Sequence, residues 1–505
     1  MTESALKTPA KAPRRVPATR PEVESPPAGS AKLGTVIARQ IEAEVLKGGW
    51  RIGQPLGSEA ELMERHKVGR STLREAIRQL EAHGVVRMLR GVGGGLIVAE
   101  EPHQAAEHAL TIYLELLNAS ADELFEALGV LEPLAARLAA DRAEEQDVQT
   151  LRLTMDRLLK APARLEDFVS AHVAIRKLVV EMANNPALTI FIGALTRFMV
   201  ETLADQIAAK FPRANVTASV DHKRKIVDAI VARRPADAEN AMRDDLGHRH
   251  ISLADTFRAQ SAREMVDARS ITSATTTRIH PKLGQVVAMT IAHEIHRRGL
   301  PAGAKLGAEP DLLAKYGVSR AVFREAIRIL EVHGVVRTRR GHAGGLLVSE
   351  MDPGYAVASA VGFLQAGKMK LAHFREIRGQ LAVNCAALAA RRIDPQGRER
   401  LAEALSRHLA SSDADAASTA QTLHELIGEL SGNRALSIFN RVVLEVNAAP
   451  PRSRLPDQET QTLRRNDTRI VEAISRGDEP LARRRMIEHM HDTGKWSEMG
   501  LTVFG

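Results

Sequence analysis

The sequence predicts a mainly α protein made of two copies of one unit, in which a small helix-and-hairpin domain precedes an all-α bundle. The stretch VGRSTLREAIRQLEAHGVVRMLRGVGGGLIV, residues 68–98, returns as VSRAVFREAIRILEVHGVVRTRRGHAGGLLV, residues 318–348, shifted by 250 positions. Each copy is followed by long segments in which apolar residues recur at the period of a helix. None of these segments alternates with the period of two that a half-buried strand requires.

The repeated stretch begins with a helix that has one apolar and one basic face. Leu73, Ile77 and Leu80 recur at helical spacing and indicate a buried face. The opposite face carries three arginines at i, i+4 and i+8: Arg70, Arg74 and Arg78. Their geometry suits phosphates and guanine edges in a major groove. An ordinary exposed helix with charges four residues apart is the alternative, but the same arginines in both copies favour DNA binding.

Elements on both sides of this helix complete a winged helix-turn-helix domain. Upstream, Ser58-x-x-Glu61 is a capping box that opens a short helix, and a four-residue turn follows. Downstream, Gly84 is placed to end the Arg-rich helix, and apolar stretches at 85–89 and 96–98 predict a β-hairpin. Two helices joined by a turn, with a trailing hairpin, are the layout of winged helix-turn-helix DNA-binding domains. We refer to the two copies as the first and second head.

The segment LGSEAELMERHKVGRSTLREAIRQLEAHGVVR, residues 56–87, resembles the N-terminal domain of GntR-type transcriptional regulators. The resemblance implies that the start of the Arg-rich helix contacts DNA and that the hairpin tip, the wing, enters the minor groove. The DNA-binding residues of the first head are then Arg70, Ser71, Thr72, Arg74, Arg90 and Gly91, with Arg78 added from the basic stripe. Those of the second head are Arg320, Arg324, Arg328, Arg340 and Gly341.

The second head departs from the family pattern. Ala321 and Val322 replace the two hydroxyl side chains of the first copy, so we expect a different or weaker DNA specificity. The helix-capping serine of the family is Ser319 here but Gly69 in the first copy. The sequence therefore leaves open whether the second head still reads bases.

Composition suits a DNA-binding protein of several domains. The chain has 505 residues and a net charge of +8, which fits a polyanionic partner. Aromatic residues make up only 3%, which argues against a protein that stacks single-stranded bases. Cys385 is the one cysteine, so we expect neither a disulfide framework nor a cysteine-ligated zinc site. No apolar run is long enough for a membrane span and no secretory signal is evident, so we expect a reduced, cytoplasmic setting.

Composition and the repeat together divide the chain into six segments. Residues 1–32 are rich in Pro, Ala and Ser, which is typical of a disordered tail. The segment SITSATTTRIHPK, residues 270–282, is short and polar, as expected near a domain boundary. The predicted order is a tail at 1–32, a winged head at 33–100, a helical domain at 103–262, a linker at 263–282, a second head at 283–350 and a second helical domain at 353–497. The family resemblance described next implies that the two helical domains are effector-binding domains.

The all-α second domain, with about six or seven helices predicted, resembles that of the FadR-like branch of GntR regulators, which carries an FCD-type effector domain. The resemblance implies a pocket inside the bundle, where an Asp and three His commonly bind a metal beside a small organic-acid effector. Some members bind acyl-CoA without a metal. The repeat extends into both bundles, since Asn433 lies 248 positions after Asn185 and His489 lies 241 after His248.

Aligned on the family markers, the first bundle keeps only part of the expected ligand set. His172 stands at the Asp position and Arg176 at the first His position, while His222 and His248 match the other two. His172, His222 and His248 still offer three nitrogen donors for a divalent metal. Arg176 opposes a cation and favours an anion, so an organic anion is the alternative ligand. Histidines without a ligand role are the third possibility.

The second bundle keeps fewer of these residues. His424 and His489 match two His positions, Ala420 replaces the Asp, and Asn466 stands where the second His is expected. This is a poor ligand set for a metal. Arg378, on the helix that usually offers a pocket arginine, is a candidate to bind an anionic effector without metal.

These features predict a sequence-specific transcriptional regulator, most often a repressor in this family, controlled by a small organic acid or a related ligand. Two heads and two bundles on one chain predict an intramolecular pseudo-dimer on one operator, which is an imperfect palindrome because the heads differ. Two chains that pair and present four heads remain open. The alternatives are an architectural DNA-binding protein without an effector and a metal-dependent enzyme that uses the bundle histidines. No carboxylate base at a matching position supports catalysis, so we expect no enzyme.

Overall fold

The computed structural model describes residues 33–48, 51–82, 85–89, 94–99, 102–160, 165–210, 213–261, 283–339, 345–366, 369–446 and 455–498. Within this part of the chain the fold is mainly α, as predicted, with two small β-sheets. The predicted tail at 1–32 and the linker at 263–282 lie outside the described residues. No helix in the described ranges combines the length and the apolar character needed to cross a membrane.

The two units, each a head followed by a bundle, have the same order of elements. The first head contains α1 (Leu33–Lys47), β1 (Pro55–Gly57), α2 (Glu59–His66), α3 (Arg70–Ala82), β2 (Val86–Met88) and β3 (Leu96–Val98). The first bundle contains α4 (Pro102–Leu116), α5 (Ala121–Arg142), α6 (Glu145–Lys160), α7 (Leu165–Met182), α8 (Pro186–Lys210), α9 (Arg213–Val231) and α10 (Pro235–Ser261). The second head contains α11 (Leu283–Arg297), β4 (Lys305–Gly307), α12 (Glu309–Tyr316), α13 (Arg320–Val332), β5 (Val336–Arg339) and β6 (Gly345–Val348). The second bundle contains α14 (Gly354–Ala366), α15 (Leu371–Arg392), α16 (Pro395–Ala410), α17 (Ala416–Leu430), α18 (Arg434–Val446), α19 (Asp457–Ser475) and α20 (Glu479–Glu498).

Each head contains a three-stranded sheet, ordered β1-β3-β2 in the first and β4-β6-β5 in the second. The sequence predicted only the hairpin of the last two strands, so the first strand of each sheet is a correction. The strand predicted at 85–89 is also shorter, Val86–Met88. Gly57 has φ +121°, and a Cβ on Gly95 would lie 2.8 Å from the Gly57 carbonyl oxygen. These glycines therefore allow β1 and β3 to approach each other.

Side-chain caps begin one helix of the helix-turn-helix in each head, α2 in the first and α13 in the second. The predicted capping box is present, because Ser58 Oγ accepts a hydrogen bond from Glu61 N at 3.3 Å and the Glu61 carboxylate accepts one from Ser58 N at 2.7 Å. In the second head, Ser319 caps α13 by accepting a hydrogen bond from Val322 N at 3.4 Å. Gly84, predicted to end the Arg-rich helix of the first head, lies outside the described residues.

Most buried apolar side chains of the two bundles form one continuous cluster. Within the described residues each bundle has seven helices, which agrees with the six or seven predicted for the first. Because the cluster runs through both bundles, the units pack as one body.

The two bundles meet about a pseudo-two-fold axis, at which equivalent residues contact each other. Phe191 of α8 stacks on Phe439 of α18, with ring centroids 4.3 Å apart, and the two residues are 248 positions apart in the repeat. Contact between a residue and its own counterpart is the signature of an isologous interface. Both rings are fully buried, so their stacking adds to the apolar area removed from water.

Two asparagines clamp this interface, one from each unit. Asn185 Nδ2 donates a hydrogen bond to Glu376 Oε2 at 3.0 Å, and in the mirrored contact Asn433 Nδ2 donates to Glu126 Oε2 at 2.8 Å. The same two carboxylates also bind arginines of the opposite unit: Arg142 on Glu376 and Arg392 on Glu126. Loss of either clamp would leave a buried amide without its carboxylate acceptor, which is costly.

The helices that follow the heads, α4 and α14, pack against each other and also contact the opposite head. Ile112 and Leu116 of α4, in the first unit, belong to the apolar core of the second head. In return, Ser359 Oγ of α14 donates a hydrogen bond to Glu42 Oε1 of α1, in the first head, at 3.5 Å. Each head therefore contacts both units.

The Glu123–Arg434 ion pair across the interface should make stability depend on pH. Arg434 Nε lies 2.8 Å from Glu123 Oε1. Burial alone would raise the pKa of Glu123. Hydrogen bonds from Arg434 and Ser120 outweigh burial and hold this pKa at about 2, below the ordinary value of 4.5. Such a carboxylate stabilises the fold fully above pH 4.5, and this contribution is lost as the pH falls towards 2. We expect Glu123→Gln to lower the free energy of unfolding at neutral pH by roughly 1.5–3 kcal/mol and to flatten this acid limb, as measured by urea unfolding across a pH series.

The control for this experiment is Glu403→Gln, which removes an exposed carboxylate of the second bundle. It should leave the stability and its acid limb unchanged. An acid limb as steep in Glu123→Gln as in the wild type would contradict the role of the ion pair.

Candidate DNA-reading heads and ligand pockets

The predicted DNA-contacting residues at the start of the Arg-rich helix of the first head lie on α3. Arg70, Ser71 and Arg74 are exposed, and Thr72 is half-buried beside them. Glu59 at the start of α2 holds Arg74, whose Nε lies 2.5 Å from Glu59 Oε1 and whose Nη2 lies 3.2 Å from Oε2. Two parallel hydrogen bonds fix the plane of the guanidinium. The head thus presents a pre-oriented cation.

The second head presents the same arginines with a looser geometry. Arg320, Ala321 and Arg324 are exposed. Arg324 Nε lies 3.7 Å from Glu309 Oε1, which is an ion pair at a distance beyond that of a hydrogen bond. The side chain of Arg324 is 71% exposed, against 54% for Arg74. The second head therefore keeps the positive charge of the arginines. Its Arg324 is held less firmly than Arg74, and the two hydroxyl side chains of the first head are absent.

Helices α3 and α13 of the two heads contact each other. Burial and the neighbouring Arg78 lower the pKa of the half-buried Arg328, while Glu325, Glu75 and Glu81 oppose this shift. Arg328 thus lies at a seam between the heads, close to charged groups of the first head. DNA binding by Arg78 and Arg328 stays a prediction.

The predicted wing tips lie outside the described residues; they are Arg90, Gly91, Arg340 and Gly341. The strands that lead to them are described and paired in register. Met88 lies opposite Leu96 in the first head, and Arg339 lies opposite Gly345 in the second. Each head therefore has the hairpin stem that a wing requires.

Five buried charged groups of the first bundle form one network, which we call the first pocket: Glu132, Arg176, Lys223, Asp245 and Arg249. Lys223 Nζ lies 2.8 Å from Asp245 Oδ2, and Arg249 Nε lies 2.9 Å from the same oxygen. Arg176 Nε lies 3.0 Å from Glu132 Oε1, and Arg249 Nη2 binds Glu132 Oε2. With three cations and two carboxylates, the network has an excess of positive charge.

Mutual attraction keeps these groups ionised despite their burial. Burial lowers the pKa of Lys223 to about 8, and Asp245 opposes this shift. Burial would raise the pKa of Asp245 and of Glu132, but the neighbouring cations outweigh it and hold both below their usual values. Removal of one partner from such a network is strongly destabilising, because the remaining charges stay buried.

Two of the three histidines predicted as metal ligands in the first bundle, His172 and His222, lie close enough to this network to interact with its charges. His222 stacks on His248, with ring centroids 5.0 Å apart. Burial, and then the charges of Lys223 and Arg176, hold the pKa of His172 well below its usual value, so its ring is neutral. The same two cations would repel a metal ion bound to His172. The residues present therefore do not fit a metal in the first pocket, and they favour an anion or no ligand.

In the second bundle, three histidines surround one carboxylate, and we call this group the second pocket. His424 Nε2 lies 3.0 Å from Asp467 Oδ1, and His408 Nε2 lies 3.3 Å from Asp467 Oδ2. His489 Nδ1 lies 3.7 Å from Asp467 Oδ1. All four residues are buried, and ligand atoms of His424, Asp467 and His489 lie within 4.8 Å of one another. This donor set fits a divalent metal through imidazole nitrogens and a carboxylate oxygen.

The expectation of a poor ligand set in the second bundle is therefore corrected. Sequence reasoning sought the carboxylate on the helix of His424, whereas Asp467 comes from α19 and His408 from α16. Asn466 donates a hydrogen bond to Asp492 Oδ2 at 3.0 Å, and its predicted role in effector binding stays a prediction. A search for acidic residues next to each aligned ligand position would have found Asp467, but no sequence pattern singles out His408.

Arg378, the predicted anion-binding residue, lies buried on α15. Burial lowers its pKa to about 9, and the charge of Asp467 opposes this shift. Its guanidinium carbon lies 5.8 Å from the centre of the Phe374 ring. A buried guanidinium that interacts with the carboxylate of the second pocket is suited to a small anionic ligand.

Two family models each match the chain twice. The model of bacterial regulatory proteins of the gntR family matches residues 33–95 and 283–344, and the FCD domain model matches residues 123–248 and 373–492. The chain belongs to the GntR family of transcriptional regulators. Its DNA-binding domain and its FCD effector domain are both present in two copies. A model of the vWA-MoxR associated protein middle region 0 also matches residues 67–152, a range that crosses from the first head into the first bundle.

Similar proteins align with about one unit of the chain. The HTH-type transcriptional repressor NanR of Cronobacter sakazakii is 27% identical over 44% of this chain and 85% of its own length. The Glc operon transcriptional activator of Escherichia coli is 24% identical over 41% of this chain and 84% of its own length. The solved structure of Streptococcus agalactiae GntR is 22% identical, with a TM-score of 0.34, over 43% of this chain and 99% of that chain.

Glu132 neutralises two buried guanidinium groups, so its loss should destabilise the first bundle. We expect Glu132→Gln to lower the free energy of unfolding by roughly 3–5 kcal/mol, because Arg176 and Arg249 keep their charges in a buried site. Chemical unfolding followed by circular dichroism measures the change. Glu144→Gln, at an exposed position of the same bundle, is the control and should have little effect. Equal stability of the two variants would argue against the buried network.

Proposed function

We propose that this GntR-family regulator is a ligand-responsive repressor in which one chain acts as a pseudo-dimer on one operator. The observation that carries the proposal is the isologous contact between the two units of a single chain, with Phe191 on Phe439 and an asparagine clamp on each side. This contact supports an arrangement in which one chain carries both heads of the DNA-binding unit. A second chain is therefore not required to supply a second head.

The exposed starts of α3 and α13 are proposed to read the operator. Arg70 and Arg74 in one head, with Arg320 and Arg324 in the other, offer guanidinium groups to phosphates and guanine edges. The hydroxyl of Ser71 is replaced by a methyl group in the second head. The operator is therefore an imperfect palindrome, with its less specific half under the second head.

The effector is proposed to be a small organic acid bound in the second bundle. His408, His424, His489 and Asp467 would hold a divalent metal, which when bound supplies a Lewis-acid position for a carboxylate. Arg378 supplies a fixed positive charge that attracts an anion to the same region. Repression is proposed on the likeness to NanR, and activation, as in the Glc operon activator, is the outcome to test against it.

One chain per operator is the central expectation of the pseudo-dimer. Light scattering of the purified chain on a selected genomic DNA fragment should give one 55.0 kDa chain per site. Arg74→Ala or Arg324→Ala alone should then weaken binding far more than twofold, because tethered heads gain affinity from a shared effective concentration. The control is Arg152→Ala, an exposed arginine of the first bundle, which should bind normally. Two chains per site would contradict the pseudo-dimer, and affinity that is independent of sequence would favour an architectural protein.

Asp467 should be required for metal binding in the second pocket. Asp467→Asn keeps the size of the side chain but removes the anionic ligand, so we expect a loss of bound zinc from about one ion per chain to none, measured by elemental analysis after dialysis. Asp457→Asn, an exposed change at the start of the same helix, should retain the ion. Equal zinc contents in the two folded variants would rule out the second pocket as the metal site.

A further inference from the structure

Lys223 and Asp467 occupy equivalent positions in the two units. Position 467 lies 244 residues after position 223, the same spacing that relates Ile226 to Ile470 on the same two helices. Both charged side chains are buried, each at 1% exposure. The repeat therefore places opposite charges at one position of two similar bundles.

The neighbours of these two residues differ accordingly. Lys223 Nζ lies 2.8 Å from Asp245 Oδ2. By the spacing of 241 that relates His248 to His489, the counterpart of Asp245 is Met486. The first pocket thus contains both a cation and the anion that neutralises it. The second pocket contains a carboxylate surrounded by imidazole rings, a set that attracts a cation.

The charges of the first pocket also oppose a bound metal ion. Lys223, Arg176 and Arg249 carry three positive charges. The carboxylates of Glu132 and Asp245 carry only two negative charges. A divalent ion would add two further positive charges in a site shielded from water, where repulsion between like charges is strongest. Exclusion of the ion follows from contacts within the first unit alone.

We propose that Lys223 is a built-in substitute for a metal ion, so that the first unit is metal-free and only the second unit exchanges a metal. The asymmetry rests on the metal site proposed for the second unit, whereas the exclusion of metal from the first unit does not. The chain then carries one exchangeable ion for two effector domains. One half of the molecule keeps a fixed charge state while the other responds.

The test is the zinc content of the full chain after position 223 is changed. In an Asp467→Asn background, which removes the second-unit site, the parent chain should bind no zinc after dialysis. Adding Lys223→Asp places a carboxylate near His172 and turns the net charge of the pocket from positive to negative. We expect this variant to gain one zinc ion per chain by elemental analysis. Lys225→Asp makes the same charge change at an exposed position of α9 and should gain none.

Each result bears on the proposal. An Asp467→Asn chain that keeps one zinc ion, and loses it on further His222→Ala substitution, would overturn it, since Lys223 would then coexist with a metal. A folded Lys223→Asp variant that gains no ion would also overturn it. If that variant fails to fold by circular dichroism, Lys223→Met takes its place; it removes the cation, and it should gain a weaker zinc site. A wild-type chain without zinc would defeat the second-unit site, yet a gain in the Lys223 variants would still support metal exclusion by Lys223.

Discussion

The structure depends on polar groups that each unit buries against the other. Asn185 caps α8 by accepting a hydrogen bond from Ala187 N, and the same amide donates to Glu376 of the other unit. Asn433 repeats this arrangement with Glu126. A buried polar group that loses its partner costs roughly 1–3 kcal/mol. Because each clamp uses a helix cap, the start of the helix and the contact between units stabilise each other.

Two units on one chain can differ where two identical chains cannot. In a dimer of identical chains, a lysine at the position of Lys223 would enter both pockets. Here the equivalent position is Asp467, so a pocket with a permanent cation and a pocket with metal-type ligands coexist around one axis. The heads differ in the same way, because Ser71 is matched by Ala321. Duplication within one chain therefore allows one pseudo-symmetric body to carry unequal functions.

Features that depend on local chemistry could be predicted from the sequence, and features that depend on tertiary contacts could not. The capping box of Ser58 and Glu61 and the helical periodicity of the bundles are local patterns. The strand Pro55–Gly57 is too short to show a period, and it forms because β3 lies beside it. His408 and Asp467 come from α16 and α19 and meet only through helix packing. Alignment to a family pattern finds residues at expected positions, but it misses a ligand set assembled from other helices.

Helices α4 and α14, which follow the heads, pack on their own bundles and also contact the opposite heads. Helix α4 packs on α8 and inserts Ile112 and Leu116 into the core of the second head, while α14 packs on α18 and contacts the first head through Ser359. Packed side chains move between discrete arrangements rather than deforming continuously. A displacement of α4 or α14 would therefore alter contacts with both heads. Allosteric control requires only that a ligand favour one arrangement of a shared element. Because each head contacts both units, one ligand-binding pocket would be sufficient to influence both heads.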